Sequence, residues 1–64
     1  MLIKVFENWI SKDLLENHIV SIVTEYEKDA IIYFDNHAQA GFVDKTPDQV
    51  GKEINKQIKE QAND

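Results

Sequence analysis

The 64 residues predict a small α+β fold, an antiparallel β-meander of three to four strands with one C-terminal amphipathic helix packed on one face. Three observations carry that expectation. The run Asp29-Ala30-Ile31-Ile32-Tyr33-Phe34-Asp35-Asn36 sets five apolar residues between acidic and amide ends; it is too short for an ordinary helix and rich in β-branched and aromatic side chains, so it reads as a strand. His18 to Glu25, HIVSIVTE, has the same character. Thr46-Pro47-Asp48-Gln49 then combines a hydroxyl N-cap, a proline at the first helical position, an acid at the positive end of the dipole and a glutamine that closes a capping box.

Taken in order, the first seventeen residues carry two patterns. Ile3 and Val5 around Lys4 favour a strand, whereas Leu2, Phe6, Trp9 and Ile10 also share a helical face. The strand, Leu2 to Phe6, is the preferred reading. Ser11-Lys12-Asp13 follows as the capped start of a short helical turn through Leu14 and Leu15, stopping at Glu16-Asn17. The strands His18 to Glu25 and Ala30 to Phe34 pair across Tyr26-Glu27-Lys28. A turn at Asp35-Asn36-His37, whose residues tolerate left-handed geometry, leads to a third strand near Gln39 to Asp44. Gly41 inside that strand points to a bulge or to close approach by another backbone. In the final helix, ending near Glu60 to Ala62, Val50, Ile54 and Ile58 form a stripe opposite Lys52, Lys56 and Lys59. Nothing divides residues 1–64 into more than one domain.

Both central strands are apolar on two sides. Simple alternation puts Ile19 and Val23 on one face of the first and Val20 and Ile22 on the other. The C-terminal helix can cover one face of the sheet. The other needs either the N-terminal segment or a second molecule, because a wet Val, Ile or Phe forfeits about 1.5–3 kcal/mol in a domain whose margin starts at about 5. Extended apolar patches mark interfaces, so a homo-oligomer or a protein partner is expected. Trp9, Phe6, Tyr33 and Phe34 are the candidate contact residues, with Glu25, Glu27 and Asp29 as an acidic fringe.

Charge narrows the partner. Residues 1 to 44 hold eight acids against three lysines, and residues 45 to 64 balance four against four, leaving a net charge of −5 with no arginine. Such a chain repels phosphate backbones, so no direct nucleic-acid binding is expected and a basic protein surface suits it better. Scattered acids, among them Glu7, Asp13, Glu16 and Asp35, admit a nucleic-acid mimic or a plug for a basic groove. The absence of cysteine removes disulfides and thiolate metal sites and points to the cytoplasm. No run approaches the ~20 apolar residues of a membrane span.

Chemistry is sparse. Asp35-Asn36-His37, with His18 elsewhere, offers metal-ligand types at the spacing of a turn, so no metal or cofactor is expected. Ser11 and Ser21 lack a local activating partner, and there is no phosphate-binding glycine loop, so no enzyme is expected. The rival to a protein binder is an oligomeric nucleotide or metabolite sponge, with aromatic residues stacking a ligand between subunits.

The order of a strand, a short turn, Asn17-His18-Ile19-Val20-Ser21-Ile22, then Ala30 to Asn36, then Gly41-Phe42-Val43-Asp44-Lys45-Thr46-Pro47-Asp48-Gln49-Val50 with Lys52, Ile54 and Asn55 resembles the small bacterial and phage β-meander-plus-helix proteins of the FlbD/SwrD flagellar type, over Ile3 to Ile58. The family's Leu-Asn-Gly hairpin is replaced here by Glu7-Asn8-Trp9, and its Asn-Gly-Lys-Lys turn by Asn36-His37-Ala38-Gln39. The resemblance implies this architecture and a class that works by binding other proteins, without transfer of a flagellar role.

Overall fold

A computed structural model describes residues 1–26 and 28–62. In chain order the elements are β1 (Leu2–Val5), β2 (Asn8–Ser11), α1 (Lys12–Asn17), β3 (Ile19–Tyr26), β4 (Asp29–Phe34), β5 (Gln39–Phe42) and α2 (Pro47–Ala62). Strands β3, β4 and β5 form the expected antiparallel meander. Strands β1 and β2 form a separate antiparallel hairpin, so the second strand of the N-terminal segment is an element that the residue pattern did not reveal.

The reason lies in its turn. Val5 pairs with Asn8, leaving Phe6-Glu7 as a two-residue connection in which Phe6 takes φ 54°. Such turns ordinarily place glycine or asparagine at the left-handed position. A bulky side chain there costs about 1–2 kcal/mol. Packing offsets the strain: the Phe6 ring meets Phe42 edge-on with centroids 6.2 Å apart, and Lys45 Nζ lies 4.9 Å from the Phe6 centroid.

Pairing Ile3 with Ile10 directs Ile3, Val5 and Ile10 inward and leaves Lys4 and Trp9 paired on the outside. These inward residues join Leu15 of α1, Ala30, Ile32 and Phe34 of β4, Phe42 of β5, and Val50 and Ile54 of α2 in one core. Helix α2 is set by the capping box the sequence announced. Thr46 Oγ1 accepts from the Gln49 N–H at 3.1 Å, and Gln49 Oε1 accepts from the Thr46 N–H at 2.9 Å. Helix α1 differs from expectation: Ser11 makes no side-chain cap, and the Lys12 N–H donates to the Met1 carbonyl instead, at 2.9 Å.

The meander corrects the face assignment made by simple alternation. Ile19 pairs with Phe34, but the next pair is Ser21 with Tyr33, so Val20 is an extra, unpaired residue. This β-bulge shifts the phase of the strand. Ile19 and Ile22 therefore both face the core side, opposite Phe34 and Ile32, whereas Val23 faces outward opposite Ile31. A second irregularity at Glu25 separates the Thr24–Ala30 pair from the Tyr26–Asp29 pair. The turn after β4 is as expected: Asn36 Oδ1 accepts from the Ala38 N–H at 3.0 Å, and His37 takes φ 70°. Strand β5 stops at Phe42, short of Asp44, because Asp44 turns with φ 61°.

Candidate interaction surface

The core side of the meander is filled by the hairpin and both helices together, so the N-terminal segment and α2 share one face. Among the described residues no element is left for the other. Down the outer side run Val23, Ile31 and Gly41 in one row and Ser21, Tyr33 and Gln39 in the next. Val23 and Tyr33 are each 37% exposed and Val20, on its bulge, 66%. Tyr26 extends the patch at the end of β3, where it pairs with Asp29. The strip is almost free of charge. Its one acid, Asp29, uses Oδ1 to accept from the Asp44 N–H at 3.2 Å.

A groove separates β5 from the hairpin. Asn8 crosses it, Nδ2 donating to the Gly41 carbonyl at 2.8 Å. On one side of that bridge lies a cleft of ≈ 270 Å³ lined by Phe6, Phe42, Val43 and Lys45. On the other is a trough of ≈ 390 Å³ bordered by Trp9, Leu14, Phe34, Ala38 and Gln39. Trp9, 63% exposed with Lys4 Nζ 5.9 Å from its ring, thus stands on the bank opposite Gly41 and extends the apolar exterior from the meander to the hairpin.

The sequence-predicted contact residues divide accordingly. Trp9 and Tyr33 are on this exterior. Phe34 is not: it is buried in the core because Ala30, Ile32 and Phe34 share the inward side of β4. Phe6 is half-buried at the hairpin turn against Phe42. Glu25 is exposed at the second irregularity of β3, Asp29 is engaged with Asp44, and Glu27 lies outside the described residues. Val20, Val23, Ile31 and Gly41 were missed as site residues. Their signal, the two-faced strands, was visible, but the bulge that sorts them was not.

The acids do not form a dense array. Glu16 pairs with Lys12 at 3.4 Å and Asp48 with Lys52 at 3.1 Å. Asp13 and Asp35 converge on His18: Asp35 lies 3.0 Å from Nδ1 and Asp13 3.1 Å from Nε2. The hydrogen bond to Asp35, reinforced by the charges of Asp35 and Asp13, raises the His18 pKa above its ordinary value against a smaller opposing effect of desolvation. Protonated, the ring donates to both carboxylates and ties α1 to the end of β4. The two acids occupy opposite nitrogens of the ring and so do not converge on a shared point. Among the described residues, no three ligand-type side chains are grouped to hold a metal, and no helix is long and apolar enough to cross a membrane.

Comparison with protein-family models, characterised proteins and solved structures found no match to this chain, so the likeness to the FlbD/SwrD type rests on the residues quoted for it.

Proposed function

We propose that this is a non-enzymatic interaction protein, acting in the cytoplasm of a bacterium or on behalf of a phage, that works by laying the outer face of its meander against another protein surface. One observation carries the reading: Val20, Val23, Ile31 and Tyr33 form an uncharged apolar strip on a chain of net charge −5, and no element of the described chain covers it. Exposed contiguous apolar surface on so small a domain costs solubility, and a partner removes that cost.

The rival reading, a sponge for a nucleotide or metabolite, draws on the clefts flanking Asn8. The one beneath Phe6, at ≈ 270 Å³, falls below the ~300–1,000 Å³ of ordinary ligand sites and the trough beside Trp9, at ≈ 390 Å³, reaches only their lower end, and the chain has no arginine to grip a phosphate. The protein-partner reading is therefore the better supported. Its test is retention of protein from bacterial extract on the immobilised chain, compared with the paired Val23→Lys and Tyr33→Lys substitutions and with Lys56→Glu on α2. Loss with the face variant and retention with the helix variant is the expected result; equal retention by both would remove the face from the reading.

A further inference from the structure

Gly41 has no internal reason to be glycine. It lies in the middle of β5, where glycine weakens a strand. Its φ is not positive, the β4–β5 register runs unbroken through it, and a Cβ added there would meet nothing within 4 Å. Among the described residues, neither the bulge nor the backbone approach that a strand glycine usually signals is found at Gly41. What the missing side chain leaves is a shallow gap on the outer face, flanked by Ile31 on β4 and Trp9 across the groove, with Tyr33 standing one row away.

We infer that the occupant of this face is a second copy of the same chain, packed sheet on sheet about a twofold axis, with the Tyr33 ring of each copy seated in the Gly41 gap of the other; the inference rests on the interaction reading above. Three features favour a second copy. A gap and a projecting ring on one face are what an isologous contact requires, since each patch then supplies both halves of the fit. The one acid of the strip, Asp29, lies at its β3–β4 turn end, so the centre where two copies would meet, at Ile31, Tyr33 and Gly41, holds no charged side chain, although the net charge of −5 on each copy opposes their approach. Another route to self-association, pairing along the free edge of β3, is hindered by the irregularities at Val20 and Glu25, which interrupt the regular ladder. Strands of eight, six and four residues spaced ~4.8 Å apart offer roughly 300 Å² in projection per copy. At roughly 600 Å² for the pair this is below the area of standard specific interfaces, so the contact is a weak, transient one.

Sedimentation velocity of the full chain over a hundredfold concentration range tests this, run beside Val23→Lys, Gly41→Leu and the control Lys56→Glu. The chain and the control should pass from monomer to dimer together. Val23→Lys and Gly41→Leu should each weaken the dimer about tenfold or more, with unchanged far-ultraviolet circular dichroism. A chain still monomeric at about 1 mM, or a dimer indifferent to both face substitutions, overturns the inference. A photo-crosslinking residue at position 23, irradiated in cell extract, separates the two levels. A crosslink to the chain itself supports the dimer. A crosslink only to a different protein overturns the dimer and leaves the interaction reading standing; no crosslink to any protein overturns both.

Discussion

The two sides of β4 differ by one step along the chain and by everything in their surroundings. Ala30 and Ile32 are fully enclosed, Phe34 nearly so, by residues from the hairpin, both helices and β5. Ile31 and Tyr33, of the same chemical types, look out over a surface that nothing in the described chain covers. The comparison teaches that an apolar run does not by itself say how it is buried. A 64-residue chain has one hairpin and one long helix with which to cover a sheet, and here both go to the same side.

The contrast breaks most sharply at Ile32. Replacing it with alanine opens a cavity in the core and should cost about 2–5 kcal/mol, measured by urea denaturation; Ile31→Ala at low protein concentration should cost clearly less, and equal losses would erase the distinction. Next in size is the capping box. Thr46→Ala removes the acceptor for the Gln49 N–H and should lower stability by about 1 kcal/mol, with Thr46→Ser recovering most of it.

A titration tests a different tie, the one between α1 and the end of β4. Because His18 has a raised pKa in the folded chain, its contribution is fully present below its unfolded value of about 6.5 and is lost as pH rises through the folded value. The thermal midpoint should therefore fall more steeply than in His18→Gln as pH rises above about 6.5. Parallel curves would remove the Asp13–His18–Asp35 tie from the account. Smallest of all, Val23→Thr on the outer face should alter the stability of the dilute chain by no more than about 0.5 kcal/mol.

Much of this architecture was legible in the residues. Thr46-Pro47-Asp48-Gln49 announced α2 because capping is local chemistry, and Asn36-His37 announced its turn because their side chains tolerate the required backbone. The hairpin was hidden because Phe6 occupies a left-handed position without the usual glycine or asparagine, held there by Phe42 and Lys45 from 36 and 39 residues away. The site was half legible. Trp9 and Tyr33 were chosen as exposed aromatics, but Phe34 was chosen with them, and Val23 was placed on the face of Ile19. The bulge at Val20 arises from pairing with β4, not from any residue that signals it. The Asp13–His18–Asp35 cluster was missed for the same reason, since it joins a residue of α1, one of the α1–β3 link and one of the turn after β4.

Proton relaxation of isoleucine and valine methyl groups by a soluble gadolinium chelate, recorded on the dilute chain, reads coverage of the two sides at once. The methyls of Val23 and Ile31 should be strongly broadened while that of Ile32 is spared. Equal protection at all three would mean that the chain covers its own outer face, and the interaction surface described here would not exist.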